Sequence, residues 1–179
     1  METKEILTEV DNKLTELIQY LSNFNQEQVN IVPFEGSWTA GQLARHMILA
    51  NSGCVEMLSG PVKDTERKPD MMASKFKEDF LNFEIKMDSP DFVMPAPGDY
   101  NREELLSALE SIRAKAIENI KTMDLTQTCT AFELPVYGYV TRLEVLCFVI
   151  YHTQRHIRQI KNIQQVVLNK TNEPNNILN

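Results

Sequence analysis

Apolar residues recur at helical spacing in four long stretches of the chain. They run from about Lys4 to Phe24, from Thr39 to Ser59, from Asn101 to Met123 and from Thr141 to Leu168. Spacings of three and four residues put apolar side chains on one face of a helix, where they can pack against other helices. The pattern therefore predicts four amphipathic helices.

The second of these helices has the clearest start. Thr39 and Gln42 have the spacing of a capping box, in which each side chain bonds the backbone N–H of the other residue. Trp38 precedes the cap and Leu43 follows it, which is the arrangement of a hydrophobic staple. The Gly-Pro pair at residues 60–61 ends the helix.

A long connection, residues 61–100, separates the second helix from the third. It contains one further helical stretch, from Met71 to Ile85, and then the proline-rich segment SPDFVMPAPGDY. A connection of this length allows the third helix to run parallel to the second, as in bundles with a crossover. We expect the later segment from Cys129 to Val140 to be an extended loop or a short hairpin.

Four helices without a series of strands favour an all-α four-helix bundle with a long crossover between helices two and three. The length of 179 residues suits one domain, which we place at residues 1–168. The asparagine-rich remainder, residues 169–179, is expected to be a flexible tail.

The composition narrows the function. Acidic residues outnumber basic ones by 25 to 18, for a net charge of −7, whereas nucleic-acid binders show a basic face. We therefore expect neither a nucleic-acid partner nor attachment to a membrane. The three cysteines form no Cys-x-x-Cys pair, and the N-terminus is too charged for a signal peptide. These features favour a cytoplasmic protein with reduced thiols.

The chain has three histidines, and all of them lie on the predicted apolar stripes. His152 and His156 are four residues apart in the fourth helix, and His46 lies in the second. Residues i and i+4 lie one above the other on a helix face. We therefore expect the three imidazoles to face one shared interior.

Two interpretations of the three histidines are open. A histidine on an apolar stripe is commonly a core residue whose ring nitrogen bonds a backbone group. Alternatively, three imidazoles hold one divalent metal ion and leave coordination positions free for water or substrate, as in catalytic sites. Burial favours a metal, because ring nitrogens are costly to bury unpaired and one ion would satisfy three of them.

Other motifs limit the chemistry. The sequence His-Thr-Gln-Arg-His at 152–156 lacks the glutamate of His-Glu-x-x-His, so no general base is identified. No Glu-x-x-His is present, which disfavours a di-iron carboxylate site. Arg155 and Arg158 could hold an anionic substrate or a thiolate, but we interpret them as solvated charges on the helix face. Cys147 lies off the histidine face and is interpreted as a core residue, and Gln159 as a hydrogen-bonding residue within the bundle.

Two segments of the chain resemble a known family. GSWTAGQLARHM, residues 36–47, is similar to the start of helix two in the DinB-like (YfiT-like) family. GYVTRLEVLCFVIYHTQRHIRQIKNI, residues 138–163, is similar to the last helix of that family, including His-x-x-x-His and the glutamine that follows. The order of elements is similar over nearly the whole chain, and the resemblance is loose across residues 61–100.

The resemblance implies a four-helix bundle of up-down-down-up topology, which is often a homodimer. It also implies a divalent metal ion, usually zinc or nickel, held by three histidines that correspond to His46, His152 and His156 in this chain. Members of the family, and proteins similar to them, act as thiol-dependent S-transferases, mycothiol-dependent isomerases or metal-dependent hydrolases.

We therefore predict a metal-dependent enzyme that is either a thiol-dependent S-transferase or a hydrolase. Its expected partners are a small-molecule substrate and, for the transferase, a low-molecular-weight thiol. The alternative is a non-catalytic metal-binding stress-response protein, in which the ion mainly stabilises the bundle. A role in DNA damage is suggested by the family name alone, and the acidic charge argues against it.

Overall fold

The computed structural model describes residues 2–172, and residues 1 and 173–179 lie outside the described part. The described residues form five α-helices: α1 (Thr3–Ser22), α2 (Ala40–Ser59), α3 (Ala73–Leu81), α4 (Arg102–Thr122) and α5 (Arg142–Asn172). They also form two short strands, β1 (Val62–Lys63) and β2 (Thr128–Cys129), and two 3₁₀ turns, Gln28–Asn30 and Asp91–Val93.

The four long helices confirm the predicted all-α bundle. α5 continues to Asn172, past the predicted end at Leu168, and the rest of the predicted tail, 173–179, lies outside the described residues. α3 ends at Leu81, earlier than predicted, because the chain becomes extended at Asn82 and its next side chains are exposed. None of the described helices is long and apolar enough to cross a bilayer.

Contacts between helix ends show how α4 runs relative to α1 and α2. Arg102, the first residue of α4, donates a hydrogen bond to the carbonyl of Ser22, the last residue of α1. Asn119, near the end of α4, donates to the hydroxyl of Ser59, the last residue of α2. α4 therefore runs antiparallel to α1 and parallel to α2, as the long crossover allows.

The start of α5 lies beside the end of α2. The buried side chain of Arg142 donates to the carbonyl of Leu58 at 2.8 Å. β1, which follows α2, pairs antiparallel with β2, which precedes α5, so that Val62 lies opposite Cys129. α5 therefore runs antiparallel to α2, and its middle lies opposite the first turns of α2.

The segment from Cys129 to Val140 is a loop closed in the manner of a hairpin. The N–H of Cys129 donates to the carbonyl of Val140 at 2.9 Å. Leu134 pairs with Gly138 across a tight turn. This agrees with the extended loop or short hairpin that the sequence predicts.

Two clusters of buried apolar side chains fill the interior. The first surrounds the beginning of α5 and includes Val10, Leu14, Cys54, Phe76, Leu146 and Ile150. The second surrounds the beginning of α2 and includes Leu17, Leu43, Met47, Leu109 and Ile157. Along α5 the first cluster ends at Ile150 and the second begins at Ile157, so the residues between them lie where the clusters meet.

A buried carboxylate fixes the beginning of the crossover. Glu144, in the first turn of α5, is fully buried and accepts from Arg67 through both oxygens, at 2.6 Å each. The same carboxylate accepts the N–H groups of Met72 and Thr141 at 2.8 and 2.9 Å. These bonds hold the start of α3 against α5.

The end of the crossover is fixed to the segment after α1. The side-chain oxygen of Asn30 accepts the N–H of Tyr100 at 2.8 Å, and the side-chain amide of Asn30 donates to the carbonyl of Tyr100 at 3.0 Å. Gln26 donates to the same carbonyl at 2.9 Å. The crossover is therefore attached firmly where it begins and where it ends.

Replacing the buried carboxylate should destabilise the fold strongly. Glu144→Gln removes the charge opposite Arg67 and places an amide group among hydrogen-bond donors. Removing one partner of a buried ion pair costs about 3 kcal/mol, which urea unfolding would measure directly.

Glu103→Gln is the matched control, because Glu103 is 77% exposed while it pairs with Arg102. The expected loss there is below about 0.5 kcal/mol. Similar losses in the two variants would contradict a structural role for the buried pair.

Candidate metal centre

The start of α2 determines where His46 lies. The hydroxyl of Thr39 accepts the N–H of Gln42, and the Gln42 side chain accepts the N–H of Thr39, at 3.0 Å each. This capping box, which the sequence predicts, starts the helix at Ala40. His46 follows on the buried face and is 2% exposed.

α5 presents the other two histidines to His46. His152 and His156 lie one turn apart on the same face and are 7% and 8% exposed. The His46 ring centroid lies 5.3 Å from that of His152 and 4.8 Å from that of His156. The structure therefore brings together all three histidines that the sequence singles out.

The three rings converge through their Nε2 atoms. Nε2 of His152 lies 3.3 Å from Nε2 of His46 and 3.0 Å from Nε2 of His156. Two nitrogens that are each about 2.1 Å from a tetrahedral ion lie about 3.4 Å apart. These two distances are close to this value, and the three ligand atoms all lie within 4.8 Å of one another, so the donor set suits one divalent ion.

Two of the rings are oriented from behind by oxygen atoms. Nδ1–H of His46 donates to the carbonyl of Val93 at 2.9 Å, and Nδ1–H of His156 donates to the side-chain oxygen of Gln159 at 2.9 Å. A neutral imidazole carries one N–H, so each of these bonds leaves a lone pair on the inward Nε2. Acceptors of this kind fix the tautomer and the ring orientation of histidine ligands in metal sites.

His152 is held by packing instead. Its ring stacks on Phe148 at a centroid distance of 5.0 Å and an angle of 19°, and it meets Phe80 edge-on at 5.5 Å. Its Nδ1 atom is buried without a hydrogen-bond partner among the described residues. Its Nε2 faces the other two Nε2 atoms, and three nitrogens in this arrangement need a proton or a cation between them.

The pKa values of all three imidazoles are lowered, and burial is the main cause for each. The hydrogen bond to Val93 partly offsets the effect for His46. The pKa of His152 lies well below its usual value, also because of the nearby charges of His156, His46 and Arg155. Burial and His46 lower the pKa of His156 to about 3. The histidines are therefore neutral at pH 7, which is the form that binds metals.

The surroundings of the cluster are apolar. The Trp38 ring lies 5.1 Å from that of His46, and the cluster itself contains no carboxylate or thiol. Cys147 belongs to the core, as predicted, and burial raises the pKa of its thiol to about 12. An apolar shell limits access of water to a metal ion and lowers the local dielectric constant.

The prediction of solvated arginines is wrong for Arg155, although Arg158 is exposed. Arg155 is partly buried and donates to the carbonyls of Phe80 and Asn82 at 3.2 and 2.8 Å, and to that of Ile85. These acceptors are backbone oxygens at the end of α3 and beyond it, so no residue type in the sequence signals them. For the same reason, the sequence does not predict the carbonyl of Val93 as the acceptor for His46. It does predict Gln159 as a hydrogen-bonding residue within the bundle, and Gln159 accepts from His156.

A sequence model of the DinB superfamily matches residues 9–160, a range that includes all three histidines. The chain belongs to the DinB superfamily. The predicted family is therefore confirmed. No curated protein sequence matches the chain.

Two solved structures share the fold of this DinB superfamily protein. TT2238, a four-helix bundle protein, superposes with a TM-score of 0.57 and 18% identity, over 89% of this chain and 98% of its own. YfiT from Bacillus subtilis is described as a probable metal-dependent hydrolase with an unusual four-helix bundle topology. It superposes with a TM-score of 0.57 and 13% identity, over 92% of this chain and 86% of its own. At these identities the likeness establishes the fold, and metal binding by the three histidines stays a prediction.

The metal-free protein should lose stability as the pH falls below 6.5. The unfolded chain binds a proton at His156 with a pKa near 6.5, whereas the pKa in the folded protein is about 3. Between these values the unfolded state holds the extra proton, so acidification favours unfolding. One such group lowers the free energy of unfolding by about 1.4 kcal/mol per pH unit.

Urea unfolding of the wild type and of His156→Gln between about pH 6 and pH 4 would measure this contribution. The variant lacks the group, so its stability should fall less steeply by that amount. Equal slopes would mean that folded His156 takes up its proton normally.

Proposed function

We propose that this protein is a metal-dependent enzyme that holds one divalent ion, zinc or nickel, through His46, His152 and His156. The observation that supports this function is the convergence of three buried Nε2 atoms, two of them with lone pairs set by hydrogen bonds at Nδ1. Neutral imidazoles suit late divalent ions. Three protein ligands leave room for a small molecule, which is the pattern of catalytic sites.

A thiol-dependent reaction suits a cluster without a base. Among the described residues no carboxylate joins the three histidines, and imidazoles that hold an ion have no free lone pair with which to take a proton from a nucleophile. A bound divalent ion would supply Lewis acidity that lowers the pKa of a thiol or of water. The free pKa is about 8.5 for a thiol and about 15.7 for water, so a thiol requires much less activation. We therefore favour S-transfer from a low-molecular-weight thiol to an electrophilic small molecule.

Hydrolysis is the second candidate, because YfiT, which shares the fold, is described as a probable metal-dependent hydrolase. In that case water replaces the thiol as the nucleophile. The same three imidazoles and the same apolar shell would serve either reaction.

The cysteines support a cytoplasmic location for the proposed enzyme. All three are buried and unpaired, as expected for reduced thiols.

Loading the untagged protein with cobalt(II) would test the site, because the visible absorption of cobalt reports its coordination. We expect one ion per chain and a new sulfur-to-metal charge-transfer band when a low-molecular-weight thiol is added. The thiol should then turn over with electrophilic acceptors. His46→Ala should weaken metal binding by more than about 100-fold and abolish turnover.

Gln154→Ala is the matched control, since Gln154 lies on α5 between the two histidines but outside the cluster. It should bind the ion and turn over like the wild type. Unchanged turnover in His46→Ala would show that the reaction does not take place at the histidine cluster. Metal binding that raises the melting temperature, without a thiol band and without turnover of thiol or ester substrates, would support the non-catalytic alternative.

We also propose that the protein is a homodimer. Val32, Phe34 and Phe92 are large apolar side chains that are each more than half exposed, and an interface would cover such residues. Light scattering at micromolar concentration should give twice the chain mass of 20.6 kDa. A mass equal to one chain would exclude the dimer.

A further inference from the structure

One of the three histidines lacks the oxygen acceptor that orients the other two. Nδ1 of His46 and Nδ1 of His156 each donate to an oxygen at 2.9 Å. Nδ1 of His152 is buried without a hydrogen-bond partner in the described part of the chain. Since acceptors of this kind normally fix the ring of a metal-binding histidine, the ring of His152 has to be held in another way.

Two phenylalanine rings hold His152 in place of an acceptor, and we name Phe80 and Phe148 the aromatic clamp. Phe148 stacks on the imidazole at a centroid distance of 5.0 Å, and Phe80 meets it edge-on at 5.5 Å. The two phenylalanine rings also meet each other at 5.1 Å and 90°. Phe148 lies one turn before His152 on α5, whereas Phe80 belongs to α3, so the clamp depends on the position of α3.

The C-terminal end of α3 needs support from another element. The helix has only nine residues, and an isolated helix of that length is not stable in water. The last four carbonyls of any helix have no partner within it. No basic residue lies in the last turn of α3 that could interact with these carbonyls.

Arg155 gives this support from α5. Its guanidinium donates to the carbonyl of Phe80 at 3.2 Å, in the last turn of α3. It also donates to the carbonyl of Asn82 at 2.8 Å and to that of Ile85, just beyond the helix. A positive charge at the C-terminus of a helix is favoured by the helix dipole as well. Because Arg155 lies three residues after His152, the helix that carries this histidine also holds the end of α3.

Two further contacts hold α3 at other places. The N–H of Met72, at its start, donates to Glu144 in the first turn of α5 at 2.8 Å. Tyr137, in the loop before α5, donates to Asp79 at 2.8 Å. Between the described residues, the hydrogen bonds that join the middle of α5 to the end of α3 are those of Arg155.

We propose that Arg155 is a positioning residue of the metal centre, which holds Phe80 against His152 and so fixes the direction of the His152 Nε2 atom. It does for His152, through the aromatic clamp, what Val93 and Gln159 do for the other two rings through hydrogen bonds. The effect of Arg155 on metal binding rests on the proposed function, whereas its effect on the His152 ring does not.

The charge of Arg155, taken alone, has the opposite effect on a bound cation. Burial is the main cause of the lowered pKa values of His152 and His156, and the charge of Arg155 adds to it. This charge therefore disfavours a second positive charge in the cluster, and its removal alone would strengthen the binding of a divalent ion. A positioning role predicts weaker binding, so the sign of the change separates the two effects.

Arg155→Met is the deciding variant, because it removes the guanidinium and keeps an apolar stem. We expect cobalt(II) to bind about tenfold more weakly than to the wild type, as when other groups that orient a metal ligand are removed. Lys161→Met is the matched control, since it also removes a cation from α5, one that pairs with Glu16, and should bind like the wild type. Unchanged or tighter binding in Arg155→Met would overturn the proposal.

Phe80→Leu tests whether Arg155 acts through the ring of Phe80. This variant keeps the carbonyl that Arg155 binds and loses the edge that meets His152. Because both changes break the same chain of contacts, the double variant should bind cobalt no more weakly than the weaker-binding single variant. Losses that simply add would show that Arg155 acts by another route and would overturn the proposal.

The proton NMR spectrum of the metal-free, untagged chain tests the position of the ring without an ion. The chain has three histidines and therefore three Hε1 signals, which His→Gln variants assign. We expect the His152 signal to shift in the same direction in Arg155→Met and in Phe80→Leu, because both remove the ring current of Phe80 from it. The signals of His46 and His156 should shift less.

An unchanged His152 signal in Arg155→Met would overturn the proposal. If that variant does not fold, Arg155→Lys takes its place, because a lysine keeps the charge but lacks the planar fork that reaches several carbonyls. Failure of the wild type to bind cobalt would contradict the proposed function. The spectrum of the metal-free protein would then still decide whether Arg155 positions the ring of His152.

Discussion

Three neutral imidazoles that face one another through Nε2 are the constraint on which the rest of this structure depends. Their convergence requires α2 and α5 to cross at one height, since a shift of one turn would move His46 away from its partners by about 5.4 Å. It also requires acceptors behind the rings, which Val93 and Gln159 provide. Finally, it requires burial, which keeps the imidazoles neutral and places the cluster where the two apolar cores meet.

The crossover helps to meet these requirements because it contacts a histidine of α5 and the histidine of α2. A direct connection between α2 and α4 would give a simpler bundle, but it would leave the outer side of the histidines open to water. The observed crossover delivers the Phe80 ring to His152 and the Val93 carbonyl to His46. The Arg67–Glu144 ion pair holds one end of the crossover and the Asn30–Tyr100 hydrogen bond holds the other. Its middle segment is therefore not needed to hold the bundle together.

The sequence predicts the features that depend on residue type and period, because both are visible along the chain. The capping box at Thr39 and the shared face of the histidines follow from spacing alone. Periodicity is less exact at the edge of a stripe. Leu7 lies three residues before the buried Val10 but is only partly buried, whereas its neighbour Ile6 is fully buried. The acceptors for His46 and Arg155 could not be predicted, because every residue carries a carbonyl and only the folded crossover shows which ones are used.

The carbonyl of Val93 has a consequence for how this family can diversify. A ligand held by a side chain loses its orientation when that side chain mutates, but a backbone oxygen survives nearly any substitution that preserves the local turn. The crossover can therefore exchange its side chains, and so change the surroundings of the histidine cluster, while His46 keeps its tautomer and direction. A backbone acceptor of this kind separates the orientation of the imidazole from the identity of the residues around it.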